Sequence, residues 1–184
     1  GGTILGPTQS GQIASVGYEM YFELMERTMR ELRGEPAESQ VEPEIKMNRS
    51  AYIPETYMSG IDQRLVSYKR LARMKELSEV DEFHGELKDR FGPLPEPANV
   101  LIDKIMLKVM CKKLGIHRLD LGDQRLVLAF SKDSHVDPEK ITGLIQRDPR
   151  RFRLSPDGIL EVSLPSASPG ESMNATKKVL QHLG

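Results

Sequence analysis

Residues 78–115 read SEVDEFHGELKDRFGPLPEPANVLIDKIMLKVMCKKLG, and two successive helices are legible in them. Val80, Phe83, Leu87 and Phe91 recur at steps of three and four, the spacing that puts side chains on one helical face. Ser78 with Asp81 has capping-box spacing at the start, and Gly92-Pro93 closes the helix. Pro95 and Pro97 open a second helix, about residues 98–114, which Gly115 stops. Leu101, Ile102, Ile105, Met106 and Val109 give it a wide apolar face, as expected of a central packing helix.

Beyond Gly115 the period changes from helix to strand. Residues 116–121 and 126–130 flank Gly122-Asp123, a hairpin-turn pair. Asp137-Pro138 opens a helix with Ile141, Leu144 and Ile145 inward. Residues 152–154 and 159–164 flank Ser155-Pro156-Asp157-Gly158, and Ser168-Pro169-Gly170-Glu171 caps a last helix lined by Met173, Thr176, Leu180 and Leu183. On the N-terminal side, Ile61, Leu65, Tyr68 and Ala72 predict the inward stripe of a helix opened by Ser59 and Asp62. Residues 41–47 alternate like a strand, and Pro43 points to an edge or a strand start. Residues 1–11 are a glycine-rich loop, 13–32 a helix and 34–40 a polar linker. The expected class is α+β: an N-terminal helix, an edge strand and about three packed helices, then two β-hairpins each trailed by a helix. The expected division is residues 1–33, a linker at 34–40, and a domain at 41–184.

Composition narrows the function. The chain has 184 residues, with 26 basic against 27 acidic groups and a pI near 6.5. A dedicated nucleic-acid binder usually has a pI above ~9. The near-neutral sum hides an acidic N-terminal third, in which residues 12–60 carry nine acidic and five basic groups. The single cysteine, Cys111, cannot form an internal disulfide, and the four histidines lack metal-ligand spacing. No apolar run of ~18 residues marks a membrane span, and no signal peptide is present, so a cytoplasmic location is expected. The start at Gly-Gly-Thr rather than Met suggests a piece of a longer protein. Phosphate-loop, GxGxxG, GxSxG and HExxH patterns are missing. We therefore expect no catalytic residues, no metal and no cofactor within the chain.

Two charged groupings remain as candidates. Glu79, Glu82, Glu86 and Asp89 share one face of the helix beginning near Ser78. A carboxylate row on a rigid helix suits arginine, which pairs with carboxylates bidentately. The same row also fits a solvated face with Lys88 and Arg90 as local partners. Lys104, Lys108 and Lys112 lie four apart on the next helix, and Arg150 and Arg151 sit among arginines at the second hairpin. A nucleic-acid path is one reading, but no aromatic residues interleave as a stacking platform requires.

Several runs resemble a known family. GGTILGPTQSGQ at residues 1–12 is similar to the end of the translocation motif shared by RecG helicases and transcription-repair-coupling factors. RLVSYKRLA, ELKDRFGPLPEPA, KLGI and HVDPEKITGLIQRDPRRFRL resemble, in order and spacing, the C-terminal domain of the transcription-repair-coupling factor (Mfd) family, which RecG lacks. The resemblance implies an ATP-driven duplex-DNA translocase that displaces stalled RNA polymerase and recruits the excision-repair protein UvrA. ATP and magnesium would belong to the parent protein and not to this chain. It makes residues 1–33 the tail of the second translocase lobe, with Gln9, Ser10 and Gly11 in a loop that couples hydrolysis to movement on DNA. Residues 41–184 become a non-catalytic regulatory domain that docks on the protein's own N-terminal UvrB-like module and masks its UvrA-binding surface. Glu86 and Asp89, just before RFG, are then the first contacts with basic residues of that module, supported by Glu82 and Glu79. The alternative is an accessory domain of a RecG-like helicase that contacts nucleic acid or RNA polymerase.

Overall fold

The structure, a computed structural model, describes Leu32 and residues 42–165 and 168–184. The expectations for the loop at 1–11, the helix at 13–32 and the linker at 34–40, together with Gln9, Ser10 and Gly11, lie outside the described residues, Leu32 aside. What is described is mixed α and β, as the sequence predicts. It divides into two compact units: one contains residues 49–105, the other residues 42–48 and 106–184.

The first unit begins with an extended segment and continues into helices α1 (Ile61–Arg73), α2 (Leu77–Phe91) and the start of α3 (Glu96–Leu114). The α1 stripe differs from expectation. Its buried residues are Arg64, Ser67, Tyr68 and Leu71, whereas Ile61 is 47% exposed and Leu65 and Ala72 are half-buried. The irregular segment before the helix explains this. Its backbone groups lack ladder partners, and buried backbone polar groups must be paired. Arg64 Nη1 donates to the carbonyls of Met58 and Ser59 at 2.7 and 3.0 Å, and Tyr68 Oη accepts from the Ile53 amide at 2.9 Å. Polar side chains therefore face inward. The start of α1 also differs: Gly60 is its N-cap and no side chain caps it, so Ser59 and Asp62 form no box.

In α2, Val80, Phe83 and Leu87 are buried as expected. Its capping box is built from Glu76 and Glu79, not from Ser78 and Asp81; the Glu79 carboxylate accepts from the Glu76 and Lys75 amides, both at 3.1 Å. The helix ends on Gly92, whose φ of 86° and ψ of −170° lie in a region open essentially to glycine alone. Tyr57 Oη lies 3.0 Å from the Leu87 carbonyl and 2.8 Å from that of Gly92, and its ring packs 5.7 Å from Phe91. The RFG run is thus a helix stop fastened by a tyrosine.

The second unit holds a five-stranded sheet in the order β1-β2-β3-β5-β4, with strands β1 (Glu44–Met47), β2 (Ile116–Leu121), β3 (Arg125–Phe130), β4 (Phe152–Leu154) and β5 (Ile159–Ser163). β1 lies at the edge, as Pro43 predicts, and pairs parallel with β2, Ile45 opposite Leu119. The remaining pairs are antiparallel, including both expected hairpins. Register aligns Ile45, Leu119, Leu128 and Leu160 on one face, all buried. The row Lys46, Asp120, Val127, Glu161 and Arg153 lies on the other face. Asp137 and Ser168 cap α4 (Pro138–Arg147) and α5 (Pro169–Leu183) as read from the sequence. Gly115 ends α3 with a φ of 71°, and Ser134 Oγ donates to the Leu114 carbonyl at 2.6 Å.

Candidate functional site: the acidic face of helix α2

Helix geometry spreads Glu79, Glu82, Glu86 and Asp89 over an arc of about 80°, flanking the buried stripe. The four carboxylates differ in what they already hold. Glu79 is committed to the capping box. Glu82 and Asp89 are exposed to solvent. Glu86 is half-buried and gripped from α1: Arg70 Nη1 reaches Oε2 at 2.7 Å and Nη2 reaches Oε1 at 3.1 Å. The same guanidinium lies 4.8 Å from the centroid of Phe83, one of the most buried side chains of the unit.

Electrostatics follow this geometry. The hydrogen bond from Arg70 holds the Glu86 carboxyl below the usual carboxylate range; burial opposes this, and the charges of Arg70 and Arg90 reinforce the lowering. The same bond raises Arg70, helped by the charges of Glu86 and Glu82. Arg90 stacks 5.1 Å over Phe91 at the end of the row. The face therefore offers two solvent-facing carboxylates and one that already displays bidentate carboxylate–guanidinium geometry. Arg70 was absent from the sequence-based candidates. Two residues sixteen positions apart, on successive helices, meet at this pair, and only the rotation of α1 reveals it.

The basic residues are placed differently. Lys104 is 7% exposed and faces the protein interior. Lys112 and Lys108 converge on one carboxylate, Glu42, at 2.7 and 3.6 Å. Arg151 donates through Nε to the Ser163 carbonyl at 3.1 Å and lies 5.2 Å over the Phe152 ring; Arg150 is exposed. These cations mostly serve local structure, and the four-residue lysine spacing does not produce a solvent-facing row.

Cys111 is fully buried, and burial pushes its thiol up to about 12. Among the described residues no group of three or more His, Cys, Asp or Glu side chains could hold a metal ion. Among them too, no helix is long and apolar enough to cross a membrane.

Comparison with known proteins bears on the family and fold of the chain. The family model described as "TRCF domain" matches residues 47–141. Over 183 residues the chain is 37% identical to the transcription-repair-coupling factor of Myxococcus xanthus, a match covering 99% of this chain and 15% of that protein. The transcription-repair-coupling factor of Escherichia coli (strain K12) is 34% identical over 158 residues, 83% of this chain and 14% of that protein. The chain thus spans about a seventh of the length of these relatives. A crystal structure of the C-terminal domain of transcription-repair coupling factor superposes with a TM-score of 0.63. It covers 78% of this chain and 96% of its own at 17% sequence identity, a likeness of fold.

Proposed function

This chain belongs to the transcription-repair-coupling factor family and has the fold of that family's C-terminal domain, and from that premise we propose that it is a non-catalytic docking module. In this reading the α2 carboxylates receive arginines from the UvrB-like module of the same parent protein. Docking masks the surface that binds UvrA. The mask lifts when the parent, an ATP-dependent duplex-DNA translocase, engages stalled RNA polymerase. ATP and magnesium serve the motor, and Gln9, Ser10 and Gly11 belong to its DNA-coupling loop.

The observation that carries the reading is the Glu86 carboxylate, which already accepts a guanidinium through both oxygens on a helix fixed by its own capping box and by Tyr57. Arginine is the side chain whose planar fork matches that geometry. Glu82 and Asp89 extend the negative face toward solvent. Lys108 and Lys112 are held by Glu42, which gives the nucleic-acid reading less support.

The test is Glu86→Arg combined with Asp89→Arg in the full-length parent. Docking would be replaced by like-charge repulsion, and UvrA affinity should rise. Circular dichroism would check that the domain still folds. A folded double variant with unchanged UvrA affinity would sink the proposal.

A further inference from the structure

Both oxygens of Glu86 are occupied by a cation from the same unit, so an incoming guanidinium cannot adopt the two-pronged geometry at that fork while Arg70 stays in place. We infer that Arg70 is an internal competitor at the docking face, and that docking is an exchange in which a partner arginine replaces Arg70 on Glu86. This deepens the docking proposal above and rests on it.

The geometry makes the exchange nearly balanced. Glu86 gives up one bidentate guanidinium and gains another. Arg70, once displaced, keeps its stacking on Phe83 and the attraction of Glu82. At this carboxylate the tally of contacts is therefore almost unchanged, and the net attraction must come from elsewhere on the face. Asp89 and Glu82, exposed and on the same arc, are the groups placed to supply it. Arg70 also sets a positive charge beside the fork, which a second guanidinium must approach. The consequence is a deliberately weak mask: complementary in shape and charge, with part of its attraction already spent inside the unit. A contact of this kind releases without the parent having to overcome a deeply buried ion pair.

Arg70 is here a regulatory residue, and its variants should act in the direction opposite to those of Glu86 and Asp89. Arg70→Gln keeps the stem and a hydrogen-bonding end but removes the charge and the fork. In the full-length parent it should tighten docking and so weaken UvrA binding by about two- to five-fold at low salt, the range a solvent-exposed pair supports. Arg70→Lys, which keeps the charge but not the fork, should fall between Gln and the parent residue. Lys69→Gln is the control: it removes a charge from the neighbouring exposed position of α1 and should leave UvrA affinity unchanged. A second readout needs no partner. In this chain, carbon-13 NMR of the Glu86 carboxyl should show its titration midpoint rising toward the ordinary value in Arg70→Gln and staying put in Lys69→Gln.

The outcomes separate the two ideas. If Glu86→Arg with Asp89→Arg raises UvrA affinity but Arg70→Gln does not lower it, docking stands and competition is overturned. If Glu86 titrates identically with and without Arg70, competition is overturned as well, because the pair does not exist in solution. If neither the double variant nor Arg70→Gln moves UvrA affinity, the docking proposal falls and this one with it.

Discussion

Replacing Gly115 by alanine should cost far more stability than any ordinary glycine-to-alanine change, and the structure says why. Gly115 ends α3 at a φ of 71°, where a residue bearing a Cβ is disfavoured by roughly 1–2 kcal/mol. The new methyl group would stand 2.6 Å from Ser134 Cα and 3.0 Å from Ser134 Cβ, where carbon atoms prefer about 3.5–4.0 Å. Ser134 cannot retreat freely. Its Oγ donates to the Leu114 carbonyl at 2.6 Å, its amide donates to the Ser131 carbonyl at 3.1 Å, and Ser131 in turn donates to the Gly115 carbonyl through N and Oγ. Relieving such an overlap by backbone movement adds roughly 1–3 kcal/mol. The expected loss is therefore about 2–5 kcal/mol, a large share of the ~5–15 kcal/mol that holds a typical domain together. Gly143 provides the opposite case. It lies inside α4, and beyond its own helix no atom of the described residues stands within 4 Å of the place an alanine methyl would take, so alanine there should stabilise by about 0.5–1 kcal/mol. Urea denaturation followed by circular dichroism gives both values. Hydrogen exchange at the Ser131 amide, bonded to the Gly115 carbonyl, reports the local effect. A Gly115→Ala protein within 1 kcal/mol of the parent would refute the steric argument, as would a gain of the size expected for Gly143→Ala.

Two further expectations concern titratable groups. Glu86 is held below its ordinary value of 4.5, so its pair with Arg70 contributes stability fully present above that value and lost as pH falls through the lower folded value; Arg70→Gln should flatten this part of an acid titration, and an unaltered profile would count against the pair. Cys111, with its thiol pushed up to about 12, should resist iodoacetamide and disulfide reagents at pH 8 in the native state and react fully in denaturant, and rapid labelling of the folded chain would contradict its burial.

What could be read from the sequence was whatever short-range chemistry decides. The turn at Ser155-Pro156-Asp157-Gly158 forms because Gly158 accepts a φ of 77° and Ser155 and Ile159 close the hairpin. The caps at Asp137 and Ser168 need only their own helix. Three things needed distant partners. The parallel pairing of β1 with β2 joins residues more than 70 positions apart, and no local pattern specifies it. The division into two units runs through α3, between Ile105 and Met106, because a helix apolar on most sides reads as a single packing element. In α2 two capping boxes of equal spacing compete, Glu76 with Glu79 against Ser78 with Asp81, and spacing alone cannot rank them. The acidic row itself was visible, but not that Glu79 serves the cap and Glu86 is already engaged.

The rotation of α1 links these misreadings to the candidate site. At about 100° per residue, the expected stripe of Ile61, Leu65, Tyr68 and Ala72 and the observed one of Arg64, Ser67, Tyr68 and Leu71 differ by a turn of about 80°. With the apolar stripe inward, Arg70 would point about 170° from the buried face, away from α2. With Arg64 inward it stands only about 110° away, at the rim, where Glu86 meets it. The cause of the turn lies in the extended segment before the helix, whose carbonyls at Met58 and Ser59 take a buried guanidinium and whose Ile53 amide takes a tyrosine hydroxyl. Satisfying those backbone groups leaves Ile61 and Val66 exposed. One arginine turned inward to close the backbone thus places a second, six residues on, over Phe83 and against the Glu86 carboxylate. The Arg70–Glu86 contact follows from the folding requirement, and any change that frees α1 to rotate back should release Glu86 even with Arg70 intact.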